Sequence, residues 1–390
     1  MKQKLALSWS ANTTWLRRLR VMTVKEMLQL FRDAALMLFI VYAFTLDIYI
    51  AGTGISFDLK NAVVVVRDSD HSAASREITY RLRPPYFHMK KEILDDRAGL
   101  RLLDKGEAMA VLDIPSQFQK TLLKGEPAAL QFQVDTSNSV LGQLAASYAA
   151  QIVGQLGFDA AMERMGLTPE SLEQVPLIES EHRVWYNPNQ DDAWFMSVLE
   201  LLIIITIFAI FLPAAAMVRE KERGTIEQLL VSPLTPFQIM AAKVLAMTLV
   251  ILAGTAVSLL VVLVPIIGLP VKGSIPLFFA FTALYAFTMA GFGLFVASVT
   301  RNLAQAGMLS ILILAPTLLL SGAWTPPEAM PVWLQYLMTI CPMYHFLDIA
   351  YGILLKGAGM DILWDSVLVM TLLGVAVFSF GMWRFRRQFQ

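Results

Sequence analysis

Between residues 194 and 217 the chain reads WFMSVLELLIIITIFAIFLPAAAM, an apolar run broken by one carboxylate, Glu200, and one proline, Pro213. At about 1.5 Å per residue such a helix is long enough to cross a hydrocarbon layer of roughly 30 Å with some tilt. The residues immediately after the run limit what the chain can be. A charged block, Arg219, Glu220, Lys221, Glu222 and Arg223, leads through Gly224 and Thr225 into the amphipathic piece 226–231, which carries Glu227, Leu229, Leu230 and Val231. Pro233 and Pro236 come next, and a new apolar run opens at Val244. A span therefore empties into a short charged helix–turn–helix, residues 218–243, and the chain returns at once to the membrane. That surface has little room for a site of its own, but it can serve as a handle for something soluble.

Composition agrees with a membrane protein that carries a soluble part, since 56% of the 390 residues are hydrophobic and only 16% are charged, against roughly a quarter charged in soluble domains. Six spans are expected, at residues 34–51, 194–217, 244–268, 276–299, 303–322 and 363–383. The fold class is thus an α-helical polytopic membrane protein with six transmembrane helices, residues 194–383 holding spans two to six. Residues 1–33 are basic, and from Trp15 onward Leu16, Leu19, Met22, Met27, Leu28, Leu30 and Phe31 fall mostly at helical spacing. A helix of that kind lies in the membrane interface. The first apolar run starts late and has no small-residue cleavage site, so it reads as an anchor that stays in the mature protein.

Residues 52–193 are a different material, with about fourteen Lys/Arg and twenty Asp/Glu and no run long enough to span. Short β-branched or alternating strings at 62–66, 108–112 and 130–134 read as strands. Helical patterns lie at 72–83, 95–105 and 116–124, and a long small-residue-rich helix at about 140–165. The alternation predicts an α/β domain with a mixed sheet, inserted between the first and second spans. Residues 323–362, rich in Trp, Tyr and Pro, predict helices lying at or dipping into the outer interface. Residues 384–390 form a basic tail.

Orientation follows from the basic residues near the spans. With the N-terminus inside, the inner side holds Lys2, Lys4, Arg17, Arg18, Arg20, Lys25, Arg32, Arg219, Lys221, Arg223, Lys243, Arg301, Arg384, Arg386 and Arg387, and the short outer loops hold only Lys272 and Lys356. The positive-inside rule then places both termini in the cytoplasm and the large domain outside.

The chain contains no G-x-x-x-x-G-K-[ST], no G-x-S-x-G, no H-E-x-x-H and no Cys-x-x-Cys, so neither a phosphate-cradling loop nor a recognisable catalytic motif is written in it. Its single cysteine, Cys341, excludes an internal disulfide, and the four histidines show no metal-ligand spacing. Catalytic, cofactor-binding and metal-binding residues are all expected to be absent, and nothing points to nucleic acid.

The string MVREKERGTIEQLLVSPLTPFQIMAAK (residues 217–243) resembles the cytoplasmic coupling segment of ABC-2 type exporter permeases, the membrane subunits of multidrug and membrane-fusion-protein-linked ABC exporters. The Trp185-Tyr186-Asn187-Pro188 string resembles that family's approach to its second span. The resemblance implies an outward pump of drugs or other amphipathic molecules in a bacterial inner membrane, with residues 52–193 as a periplasmic domain. It implies a cytoplasmic ABC ATPase subunit that binds ATP and Mg, and a second permease, identical or different. A periplasmic membrane-fusion protein and an outer-membrane channel are frequent partners, and lipids surround the spans. In the family the N-terminal helix abuts the ATPase; read by itself, it only anchors the first span.

On this reading Arg219, Glu220, Lys221, Glu222, Arg223, Gly224, Thr225, Glu227, Leu229, Leu230, Val231 and Pro233 couple to the ATPase. Leu229, Leu230 and Val231 are the buried anchors, and the charges from 219 to 223 form the rim. Pro213 is either a bend point or a helix terminator at the interface. Glu200, ionisable within an apolar run, either lines a polar pathway or reaches outer-leaflet water. Gly291 and Gly293 would permit tight helix packing. Two other classes compete: an ion-coupled secondary transporter, which calls for several buried charges at mid-membrane and internal repeats, and a non-transporting scaffold or receptor whose outer domain binds a partner.

Overall fold

The computed structural model describes residues 2–54, 58–166, 183–224 and 234–387. The chain divides into a helical unit, residues 1–55 and 183–390, and an α/β unit, residues 56–182.

The helical unit opens with α1 (Lys2–Phe31) and α2 (Ala34–Gly54), the second containing a π-helical turn at Ala43–Asp47. Asp33 separates them, and its carboxylate caps α2 by accepting the Leu36 N–H at 3.1 Å. Among the described residues five helices are long and apolar enough to cross a membrane: Ala34–Gly54, Asp192–Glu222, Pro236–Leu263, Ile275–Val299 and Met360–Arg386. The span expected over 303–322 is a helix of only 17 residues, Leu303–Leu319, about 26 Å long at 1.5 Å per residue and short of a hydrocarbon core of roughly 30 Å. Residues 323–362 form the pair Val332–Met338 and Pro342–Lys356, bent by 76° as a broken span or a re-entrant loop.

Asp192–Glu222 is the helix around which the others pack. In its most apolar stretch 78% of residues are buried, against 22% for the peripheral Ala34–Gly54. Both glycines of Ile275–Val299 mark close approaches. A Cβ on Gly291 would meet the backbone N of Phe378 at 2.7 Å, and one on Gly293 the carbonyl O of Ile210 at 2.5 Å. Ile275–Val299 thus presses backbone to backbone on two neighbours, as small residues allow between helices in lipid.

Gly52, near the end of Ala34–Gly54, lies against Ser197, where an added Cβ would come within 3.0 Å of the serine Cβ. At the other end of the same pair, Asp33 meets Arg219 at 2.8 Å. The two helices are therefore antiparallel neighbours, with Gly54 and Asp192 at the same end of the helical unit. At that end Asn187 and Asp191 exchange hydrogen bonds, Nδ2 to Asp191 O at 2.9 Å and Asp191 N to Oδ1 at 3.0 Å. Asp191 then caps the helix. Trp185 and Tyr186 beside this turn are exposed.

The α/β unit is a four-stranded sheet in the order β2-β1-β3-β4, built from β1 (Ala62–Asp68), β2 (Phe87–Glu92), β3 (Ala110–Ile114) and β4 (Gln131–Val134). β1 is parallel to β2 and β3, and β4 is antiparallel to β3. The continuous run AVVVV suits a central strand covered on both faces. Val64 and Val66 pack with Ile78, Phe118 and Ala145 on one side, and Val65 with Ile93 and Val111 on the other. Helices Ala73–Arg81, Phe118–Lys124 and Ser139–Arg164 thus cover one face and Asp96–Asp104 the other. Sequence pattern assigns β2 to no element. It is an edge strand whose residues after Phe87 are exposed, and Lys90 and Lys91 there are the charges that protect such an edge from further pairing.

Across the two central strands the Arg67 guanidinium holds the Asp113 carboxylate in a two-point pair, with Nε to Oδ1 at 2.9 Å. Asp113 is buried. Replacing it by alanine is expected to cost about 1.5–2 kcal/mol, the lower part of the range for charged hydrogen bonds because Arg67 can rehydrate. The readout is faster limited proteolysis within residues 56–182 of the intact chain; an unchanged cleavage rate would contradict it.

Candidate functional site

The charged block is not a separate loop. Asp192–Glu222 runs unbroken through Pro213 and carries Arg219 to Glu222 in its last turn. Pro213 therefore does not terminate the helix: it is buried, and its ring faces the close approach of Gly293. It still withdraws one backbone donor from the ladder. The helix ends at Gly224, whose φ of +63° is the left-handed conformation that glycine adopts at a helix C-terminus. The chain re-enters helix at Thr235, where a reciprocal cap joins Thr235 and Gln238 with Pro236 in the first turn. Thr225, Glu227, Leu229, Leu230, Val231 and Pro233 lie outside the described residues.

The block's side chains turn back into their own chain. Lys243 is fully buried, and its Nζ lies 2.8 Å from Glu26 Oε2 and 2.8 Å from Glu220 Oε1. Lys25 completes the group, with Nζ 3.1 Å from Glu26 and 3.3 Å from Glu220. Two cations and two carboxylates cancel, which is the condition under which charges survive away from water. Three elements meet there: α1, the end of Asp192–Glu222 and the start of Pro236–Leu263. Arg219 adds the bond to Asp33 at the start of Ala34–Gly54. Trp15 stacks on Phe237 with ring centroids 6.5 Å apart, extending the seam between α1 and Pro236–Leu263.

The other two charges address helix ends. Lys221 donates to the carbonyl O of Ala297, and its Nζ lies 3.4 Å from the carbonyl O of Thr300, at the C-terminus of Ile275–Val299. The Glu222 carboxylate accepts the Leu303 N–H at 2.8 Å, at the N-terminus of Leu303–Leu319. A cation on exposed carbonyls and an anion on exposed N–H groups both complement the helix dipoles. Arg223 and Gly224 are exposed.

The described part of the predicted site is therefore brought together, but as an internal junction. Sequence reasoning missed Lys25, Glu26, Asp33 and Lys243 as members. The available signal was the pair of carboxylates, Glu26 and Asp33, inside an otherwise basic segment. Glu200 stands apart from this junction, half-buried, with Asp47 near enough to interact electrostatically.

Residues 34–383 match the model of the ABC-2 family transporter proteins. The chain belongs to that family. It is similar to the inner membrane transport permease YhhJ of Escherichia coli K12, 35% identical over 95% of this chain and 98% of that protein. It is also similar to the probable multidrug ABC transporter permease YbhR of the same organism, at 30% identity over 95% of this chain and 99% of that protein. ABC transporter G family member 20 of Dictyostelium discoideum is 24% identical over 70% of this chain, which is 37% of that longer protein. This ABC-2 permease is thus a multi-pass transport protein, and membership in the family implies an ATPase partner and a permease dimer.

Proposed function

We propose that this permease is the membrane subunit of an ATP-driven exporter, that a separate cytoplasmic ATPase grips residues 218–243, and that drugs or other amphipathic molecules are moved outward. The observation that carries the reading is the buried group of Lys25, Glu26, Glu220 and Lys243. The gripped segment is short and joins two long helices whose ends are clamped to each other and to α1. A displacement applied between residues 224 and 234 is therefore delivered to both helices as one body. Lys221 and Glu222 pass it to two further helix ends. Arg219 to Glu222 accordingly transmit the motion, while Leu229, Leu230 and Val231 are the docking anchors.

The named relatives support an inner-membrane location and multidrug transport for this chain. Asp192–Glu222 has 31 residues, about 46 Å at 1.5 Å per residue, so its charged end and its Trp-Tyr-Asn-Pro end lie at opposite faces of a bilayer that it crosses. With the basic end cytoplasmic, the α/β unit is periplasmic and both termini are inside. A membrane-fusion protein and an outer-membrane channel complete the path in this reading. Leu229→Asp tests it: with an ABC ATPase co-expressed, both ATPase co-purification and ATP-dependent dye efflux are expected to be lost. Retention of both would overturn the docking assignment.

A further inference from the structure

At the carboxyl edge of the sheet, three metal-ligating side chains converge that the transport reading does not use. Asp68 ends β1, Glu92 ends the adjacent parallel strand β2, and His71 sits in the turn after β1 with φ of +50°. The His71 Nδ1 lies 4.0 Å from Asp68 Oδ2 and 3.6 Å from Glu92 Oε1, and one ligand atom from each of the three residues falls within 4.8 Å of the others. Donors around a tetrahedral zinc ion, at bond lengths of about 2.0–2.2 Å, stand roughly 3.4 Å apart. The other oxygen of Asp68 is already engaged, since Oδ1 accepts the backbone N–H groups of Asp70 and His71, each at 2.9 Å. Those bonds fix the turn that presents His71 to the two carboxylates.

A second observation points the same way. A cavity of about 480 Å³ opens beside the cluster, lined by Asp68 and Glu92 together with Arg76, Tyr80, Arg83 and His88. It runs along helix Ala73–Arg81 and the edge strand β2, from Asp68 and Glu92 at the carboxyl ends of β1 and β2 back to Arg83 and His88 near the start of β2. Two of the three donors thus belong both to the cluster and to the wall of a cavity large enough for a small molecule.

We propose that Asp68, His71 and Glu92 form a binding site for a divalent transition metal of the zinc class, with its remaining coordination position turned toward this cavity. One imidazole nitrogen with two carboxylate oxygens is a donor set suited to such ions, whereas calcium takes six to eight oxygens and magnesium holds to octahedral oxygen geometry. The inference concerns the α/β unit alone and stands or falls independently of ATPase docking.

The test uses the purified full-length permease in detergent, stripped with a chelator and titrated with Zn²⁺, and in parallel with Mg²⁺. Retained metal is counted by elemental analysis after desalting. One Zn²⁺ per chain is expected, with little Mg²⁺. His71→Ala and Glu92→Gln should each raise the Zn²⁺ Kd at least about tenfold, because loss of an outer-sphere partner already costs 10–100-fold. His88→Ala, on the cavity wall but outside the donor set, should bind as the parent does. Both donor positions are exposed, so the variants are expected to fold, and unchanged circular dichroism would confirm it. Absence of Zn²⁺ binding by the parent below millimolar concentration, equal retention of Mg²⁺, or parent-like affinity in either donor variant would each overturn the proposal.

Discussion

Replacing Lys243 by methionine is expected to lower the stability of the helical unit by about 3–5 kcal/mol, because it removes one partner from a buried charge group and leaves the others uncompensated. Methionine fills a similar volume, so the loss is electrostatic rather than a cavity. Lys243 is the member most enclosed, and it alone lies 2.8 Å from both carboxylates, Glu26 and Glu220. Lys25 is half exposed and reaches the same carboxylates only at 3.1 and 3.3 Å, so it cannot replace Lys243 in the centre. The measurement is the thermal or denaturant midpoint of the purified permease, with efflux measured alongside. A triple variant, Glu26→Gln, Glu220→Gln and Lys243→Met, should recover much of the lost stability, since it neutralises the three enclosed members and leaves only the half-exposed Lys25, whose charge can reach water. It should not recover full efflux if the charges hold α1 to both flanking helices during the transport cycle. A Lys243→Met protein as stable as the parent would show that the group is hydrated and that the clamp is wrongly described. High salt is a further discriminator: it should leave this enclosed group intact while weakening the more accessible Arg219–Asp33 pair.

Gly291→Leu is the second large effect. The nearest atoms to a Cβ at this position are backbone: Phe378 N at 2.7 Å, with Phe378 Cα and Val377 C at 2.8 Å. A flexible side chain could swing aside, but two helix backbones must separate. On the opposite helix Gly381 faces the Gly291 carbonyl with equally little room, so neither partner can yield locally. Overpacking of this kind costs about 1–3 kcal/mol, and more where backbone must move. The expected result is loss of folded permease from the membrane fraction, with Gly291→Ala intermediate. As a control, Gly307→Ala should be nearly silent, because the nearest atom there is 3.9 Å away. Equal yields for Gly291→Leu and Gly307→Ala would refute the close approach.

The parts of this fold that are legible in sequence are those whose cause is local. An uninterrupted apolar run must be helical in lipid, since only a helix satisfies its own backbone there. The AVVVV string reads as a strand because β-branching and length act within a few residues. Strand β2 escapes sequence pattern for a physical reason: an edge strand needs no apolar alternation, and its sequence, FHMKKE, is mostly solvated. The Asp68–His71–Glu92 cluster has no spacing signal because its third donor arrives from a neighbouring strand through sheet pairing.

The charged block shows the division most clearly. Its composition alone places residues 219–223 at a membrane surface, since charges between two apolar runs must sit there. Composition also makes them a solvent-facing rim. The tertiary structure pairs Arg219, Glu220, Lys221 and Glu222 within the helical unit: Glu220 finds Lys25 across 195 residues, and beside it Lys243 finds Glu26 across 217. Pairings at such separations depend on which helices lie side by side, and hydrophobic burial in lipid does not specify that from one segment alone. From the order of its apolar and charged runs the chain determined that it crosses a membrane repeatedly and carries an inserted α/β unit, and the string at residues 217–243 carries its resemblance to ABC-2 permeases. Only the packing of the helices decided that the block is a clamp, because a charge becomes a structural bond only once its neutralising partner has been carried out of water beside it.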